Sequence, residues 1–232
     1  MSYCWKPSVA CLTLLALAVA CGCGHSDSGQ PPKASVPGTG DTAPSTGASA
    51  AATPQTPTVD AQHPKVLIET SLGNITVQLD RKNAPLSVYN FLMYTNASFY
   101  DKTIVHQVYK GQAILAGGYD TIMAAKPTHP AVRSEADNGL KNLRGSIAMV
   151  RQRDDIHSAT SQFFINVADN PDLDYKERTP DGYGYCVFGK VIDGIDVVDA
   201  INKVEVVDKR DSPEFERTPK EQIVIKSIRE LH

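Results

Sequence analysis

The chain has 232 residues, 41% of them hydrophobic, enough material for one substantial core plus accessory sequence. Its 23 Lys and Arg against 26 Asp and Glu give a formal net charge of −3. That balance lacks the basic footprint of a nucleic-acid binder, and with no RNA- or DNA-binding motif in the chain a nucleic-acid partner is not expected.

At the N-terminus, Lys6 precedes an apolar stretch from Val9 to Ala20 that is too short to span a bilayer comfortably and has the form of a signal-peptide core. Residues 1–20 are therefore read as a signal peptide, and export is the expectation. Ala18-Val19-Ala20 satisfies the small-residue rule for cleavage and Cys21 follows directly. The segment thus also resembles the lipobox of bacterial lipoproteins, although Ala18 stands where such a box more usually has Leu. Cys21 is the candidate lipidation site, with Cys23 a poorer one, and the expected location is periplasmic, anchored through the lipid to the outer membrane. The alternative is an ordinary secreted protein with a free Cys21. Of the cysteines at 4, 11, 21, 23 and 186, only Cys186 falls in the expected folded domain, so no internal disulfide is available to it.

Residues 21–64 follow as a tether. From Gly24 to Pro64 they are dominated by Ser, Thr, Gly, Pro, Ala and Gln, too few large apolar side chains to offset the entropy of ordering. A flexible segment of that size has an end-to-end distance of about 35 Å. From Lys65 to the end, residues 65–232, the texture is that of a folded domain. Val66-Leu67-Ile68 and Asn74 to Leu79, joined by Ser71-Leu72-Gly73, predict a β-hairpin. Pro85 suits a first helical turn, and Val88, Phe91, Leu92 and Thr95 recur at helical spacing. Further strands are predicted at Ile114-Leu115, Ser146 to Val150, Gln162 to Val167, Cys186 to Ile192 and Ile223 to Ile228. A second helix follows Gly194, with Ile195, Val198 and Ile201 on one face. Many strands with two helices make the expected fold mainly β: a closed antiparallel barrel capped by two α-helices.

The most informative stretch is Asn142 to Asn170, NLRGSIAMVRQRDDIHSATSQFFINVADN. In its second strand, alternation sends Ser161, Phe163 and Ile165 to one side and Gln162 with Phe164 to the other, so a long polar side chain and an aromatic share a face. With it go Leu72-Gly73-Asn74-Ile75, Ala84-Pro85, Asn90-Phe91, Phe99-Tyr100, Gly117-Gly118, Glu135 to Leu140, Arg144-Gly145, Leu173-Asp174 and Val187 to Val191. As a set these resemble the cyclophilins, the barrel-shaped peptidyl-prolyl cis-trans isomerases, over nearly the whole of Lys65 to Leu231. Ser158 to Val167 is similar to the bacterial exported branch of that family.

The resemblance implies isomerisation of Xaa-Pro bonds in proline-containing segments of exported proteins, by a monomer needing neither metal nor cofactor. Rotation about such a bond faces a barrier of roughly 18–20 kcal/mol, because nitrogen donates electron density into the carbonyl. In the family an arginine beside a histidine donates toward the prolyl nitrogen, an apolar pocket grips the ring, and the twisted amide is bound better than either planar form. Carried over, the catalytic positions are His106 and Gln107. The substrate-binding positions are Ala113, Ile114, Ala116, Val150, Arg151, Gln152, Gln162, Phe164, Leu173 and Tyr185.

Several of these depart from the family pattern. Phe-His-Arg reads Val105-His106-Gln107, and Phe-Met-Ile-Gln-Gly-Gly reads Ala113 to Gly118, with one extra residue near Gly111-Gln112. Val150 replaces a small alanine after Met149, and Asp172 replaces an aromatic before Leu173. Reduced isomerase activity is expected, unless Arg151 or Arg153 supplies the missing cation. The alternative function is a non-catalytic module, a chaperone or scaffold that binds proline peptides in the same groove. His25, His63, His106, His129, His157 and His232 show no metal-ligand spacing. Asp169, Asp172 and Asp174 lack the glycine and glutamate of a calcium loop, Ser158, Ser161 and Asp154 lack a positioned base, and Lys209-Arg210 between two aspartates reads as a solvated loop.

Overall fold

The computed structural model describes residues 60–208 and 215–232. The expected signal peptide, Cys21, Cys23, the tether up to residue 59 and Lys209-Arg210 lie outside the described residues. In chain order the elements are β1 (Lys65–Thr70), β2 (Gly73–Leu79), α1 (Pro85–Asn96), β3 (Thr103–Tyr109), β4 (Ala113–Asp120), β5 (Ser146–Met149), β6 (Phe163–Asn166) and a 3-10 turn (Pro171–Leu173). They continue with β7 (Val187–Asp193), α2 (Ile195–Lys203), β8 (Val206–Val207), β9 (Thr218–Pro219) and β10 (Val224–Leu231).

Eight strands close into an antiparallel barrel in the order β1-β10-β3-β4-β6-β5-β7-β2, and β8 with β9 forms a separate two-stranded sheet. The first strand completes the circle: Lys65 pairs with Gln78 of β2 on one side and with Leu231 of β10 on the other. Period-two alternation fills the interior, as Val66 and Ile68 of β1 and Ile75, Val77 and Leu79 of β2 point inward. The predicted hairpin and the strands at 146–150, 162–167, 186–192 and 223–228 are present in the barrel, and both predicted helices are present beside it. Residues 60–64, assigned by composition to the tether, are part of the ordered chain. Leu79 N donates to Pro64 O at 2.8 Å and Arg81 N to Gln62 O at 2.9 Å, which ties this segment to the end of β2.

Helix α1 starts at Pro85, whose fixed φ suits a first turn. Its N-cap, Ala84, has no side-chain acceptor, so the orphan amides of Leu86 and Ser87 are satisfied from a distance by the Glu135 carboxylate, at 3.0 and 2.9 Å. Phe91 of α1 is fully buried and meets Tyr100, Phe163 and Phe188 with centroids 5.2, 5.5 and 5.3 Å away. Helix α2 buries Val198, Ile201 and Asn202 against the barrel.

Because Phe91 is the common neighbour of three rings, Phe91→Ala should destabilise the domain by about 3–5 kcal/mol. Urea unfolding of the two proteins measures it; a difference below about 1 kcal/mol would contradict this packing.

Candidate active site

The face opposite the core follows from the second of two register shifts between β3 and β4. Val105 pairs with Ala116 and Gln107 with Leu115, so β3 holds one residue more than β4 at that point and His106 forms a β-bulge. Past it, Val108 and Ile114 pair facing inward, and Tyr109 pairs with Ala113 facing outward. A continuous row then crosses five strands through successive pairs: Gln107, Leu115, Phe164, Ala148 and Val187. Outside the barrel this row carries a second apolar cluster of Ala113, Leu115, Ala148, Phe164 and Val187, against which Tyr109, Val150, Leu173 and Tyr185 pack. Phe164 is fully buried in it beneath Tyr185, edge to face at 5.6 Å.

Many of the sequence-predicted residues gather here, but Ile114, Ala116 and Gln152 do not. Ile114 and Ala116 belong to the interior core with Phe163 and Ile165, so neither is placed to contact a ligand on the outer face. Alternation along β4 requires this once Ala113 and Leu115 face outward. Leu115, which the carry-over omitted, takes the outward place. The extra residue of this segment is accommodated in the turn between the paired Tyr109 and Ala113, where Gln112 N donates to Tyr109 O at 2.9 Å and Gly111 takes φ +73°. Asn202 of α2 clamps that turn, accepting from Gly111 N at 2.7 Å and donating to Tyr109 O at 2.9 Å.

The small Ala113 side chain borders a cleft of about 520 Å³, lined also by Gln112, Arg151, Leu173, Lys176 and Tyr185. Leu173 is held there by a buried amide network. Asn142, 1% exposed, donates its side-chain amide to Leu173 O at 3.0 Å and its backbone N–H to the Asp174 carboxylate at 2.7 Å. Asn166 donates to Asn142 Oδ1 at 3.2 Å and Ser146 Oγ at 2.8 Å, and Tyr185 N donates to Leu173 O at 2.9 Å. Asn142 was not singled out from the sequence, where an Asn in a loop signals only a turn. Gln162, half-buried, lies flat on β4: a Cβ added to Gly118 would come within 2.7 Å of its Cγ and Cδ. Its carbonyl accepts from Val150 N at 2.9 Å. Gln152 is exposed on the following loop and lines neither the cluster nor the cleft.

Arg151 and Arg153, considered as substitutes for the missing cation, have other partners. Arg151 is buried, donates to the carbonyls of Gly184, Gln152, Arg153 and Pro180 at 2.6–2.9 Å, and stacks 5.1 Å from the Tyr185 centroid. It thereby ties the 180–184 loop to β5. Arg153 pairs with Asp181 at 2.8 Å. Gln107 itself is 7% exposed, and His106 is 2% exposed, its ring 4.9 Å from that of Tyr119. The Nδ1 of His106 has no hydrogen-bond partner among the described residues, and burial pushes its pKa down to about 3. The imidazole is therefore neutral at physiological pH and offers no charge to the face. Among the described residues no cluster of His, Cys, Asp or Glu is arranged to hold a metal. Asp169 accepts from Arg144 N, Asp174 from Asn142, and Asp172 from Lys176.

A closed eight-stranded barrel with two helices, bearing an apolar outer row flanked by a glutamine, is the architecture of the cyclophilin fold. The family model described as cyclophilin type peptidyl-prolyl cis-trans isomerase/CLD matches residues 65–230. The chain is 47% identical over 164 residues to peptidyl-prolyl cis-trans isomerase A of Dickeya dadantii, covering 71% of this chain and 83% of that one. It is 43% identical over 163 residues to peptidyl-prolyl cis-trans isomerase B of Escherichia coli, covering 70% and 97%. A crystal structure of a Cryptosporidium parvum cyclophilin type peptidyl-prolyl cis-trans isomerase, in the presence of the dipeptide Ala-Pro, superposes with a TM-score of 0.59 at 25% identity, covering 72% and 99%. The chain belongs to the cyclophilin-type peptidyl-prolyl isomerase family.

The depressed pKa of His106 gives a pH signature. In the unfolded chain an ordinary histidine takes up its proton near pH 6.5, whereas the folded one does so only near 3. The unfolded state therefore binds more protons across that window. The stabilisation is complete above about pH 6.5 and is lost as pH falls toward 3, with a slope of about 1.4 kcal/mol per pH unit. Urea unfolding at pH 6.5 and 4.5 should show this loss in the wild type and less of it in His106→Asn; equal slopes would refute it.

Proposed function

We propose that the chain catalyses cis-trans isomerisation of Xaa-Pro bonds in exported proteins, at a reduced rate, while held to the periplasmic side of a bacterial outer membrane by a lipid on Cys21. Support for the chemistry is the cleft beside Ala113, which Leu173 and Tyr185 line, with the buried Leu115 and Phe164 packed behind them. A proline ring seated there would bury the half-exposed side chains of Leu173 and Tyr185. The likeness to a structure described with the dipeptide Ala-Pro supports a proline-containing partner. No covalent step is needed; the face works by holding the twisted amide more tightly than either planar form.

The reduced rate follows from Gln107, which is neutral where the family resemblance implies a guanidinium. A neutral amide donor in place of a charged one weakens transition-state binding by roughly 1–2 kcal/mol, a factor of about five to thirty. Ala113 removes further ring contact. Support for export and lipidation is the apolar Val9–Ala20 stretch running into Cys21, and the composition of the segment after it fits a spacer.

In an exchange assay on a proline tetrapeptide, wild type should run above background and Gln107→Arg about five- to thirtyfold faster. Wild type at background, with the same peptide still bound in a titration, would instead identify a binding module. For the anchor, cells fed a labelled fatty acid should incorporate it in the wild type and not in Cys21→Ala. A wild type that takes up no label and fractionates as soluble would overturn the lipid reading.

A further inference from the structure

A second cleft, of about 370 Å³, opens outside the barrel, and none of its lining residues is shared with the cleft beside Ala113. Its apolar lining comes from Leu79, Leu140, Leu143 and Val187. Leu79 and Val187 are buried behind it, so the apolar surface open to a ligand belongs to Leu140, half-buried, and Leu143, 54% exposed. Leu143 is placed by its backbone rather than by packing. Its carbonyl accepts from both Ser146 N, at 2.9 Å, and Ser146 Oγ, at 2.7 Å, and its own N–H donates to Lys141 O at 2.8 Å. A ligand therefore finds this leucine already in position, with little ordering left to do.

The charged groups give the cleft its sign. Lys141, Arg144 and Lys190 line it against a single carboxylate, Asp80, whose two oxygens accept from Asn83 N at 3.0 Å and Asn83 Nδ2 at 2.7 Å. Arg144 is taken up by Asp199 in a two-point pair at 2.8 Å, and Lys141 stands 3.7 Å from Asp174. Lys190 is exposed, and its ammonium has no partner among the described residues. Across the sheet Lys65 pairs with Gln78 and Gln78 with Lys190. Two exposed lysines thus flank a half-buried glutamine, two strand spacings or about 10 Å apart. Neither Lys65 nor the Gln78 amide has a side-chain partner among the described residues. On a chain with a net charge of −3, this free positive row is a local reversal of sign.

We propose that this cleft docks an extended acidic segment of a partner protein, seating one large apolar side chain against Leu140 and Leu143 and setting the flanking carboxylates toward Lys190 and Lys65. Carboxylates two residues apart on an extended chain are separated by roughly 7 Å, a span that two flexible lysines about 10 Å apart can both meet. Exposed ion pairs contribute little singly, so the apolar anchor supplies affinity and the lysines select the sign of the partner. The concave shape favours a protruding side chain over the flat surface of an anionic membrane. This site stands apart from the isomerase reading and does not depend on it.

The test titrates the full chain with two proline-free peptides, acetyl-Glu-Asp-Leu-Asp-Glu-amide and acetyl-Lys-Lys-Leu-Lys-Lys-amide, and follows backbone amide signals by NMR. The acidic peptide should shift the signals of Leu140, Leu143 and Lys190, and the basic one should not. Lys190→Glu should weaken the acidic peptide about tenfold, and Leu143→Ser, at a side chain already open to solvent, about fivefold. Lys226→Glu, the same charge reversal on the exposed side of β10, should leave binding unchanged. Equal binding of the basic peptide, a Lys190→Glu variant that binds like wild type, or a loss matched by Lys226→Glu would overturn the assignment. So would an acidic peptide that shifts none of these signals at millimolar concentration. Phosphatidylglycerol vesicles that broaden the same signals where the acidic peptide leaves them unmoved would assign the patch to a membrane surface instead.

Discussion

Everything at the outer face depends on the alternation of two adjacent phenylalanines in β6. Phe163 enters the barrel and meets Phe91 and Tyr100 edge-on, at 5.5 and 5.6 Å. Phe164 leaves on the other side and becomes the floor of the row. Strand β6 lies between β4 and β5 in the barrel, so its register is fixed from both sides, at Ile165 with Ile114 and again with Ile147. A slip by one residue would exchange the two rings and move Ile165 out of the barrel interior. Core and site are therefore specified by the same few residues, and the site keeps its geometry as firmly as the core keeps its packing.

The remaining parts of the face are held by amides that bridge distant segments. Asn202 fixes the turn before Ala113 from α2, and Asn142 fixes Leu173 from the loop before β5. Each uses both ends of its side chain, Asn202 on Gly111 N and Tyr109 O and Asn142 on Leu173 O and the Asn166 side-chain amide. Arg151 does the same for the 180–184 loop with a charged group, which explains why a guanidinium can be 7% exposed without a carboxylate beside it: four carbonyl dipoles and a ring face replace its water.

Where side chains alternate, the fold was legible. The hairpin at 65–79, the helix with Val88, Phe91 and Leu92, and the Ser146 to Val150 and Gln162 to Val167 runs all carry a period that matches their element. Strand β3 was not read from its pattern, because Thr103 to Val108 is buried throughout, polar residues included, and shows no period of two. The bulge at His106 belongs to the pairing of two strands and leaves no mark in either one alone. Ile114 and Ala116 were carried over, and Leu115 passed over, from a family motif that does not show how β4 alternates after the extra residue near Gly111-Gln112. Asn142 and Asn202 were silent for a related reason: their work is done across 30 to 90 residues of sequence, at Leu173 and Gly111.

The seam of the barrel has a consequence for how the molecule assembles. Since β1 hydrogen-bonds to β10, strands from opposite ends of the described domain must find one another before the ring is complete, and that long chain closure carries an entropic penalty collected only at the last step. A chain lacking Val224–Leu231 would leave β1 and β3 as two open edges, each ready to recruit a strand from another molecule. Growth of the polypeptide past β10 thus separates an aggregation-prone intermediate from a particle with no free edge.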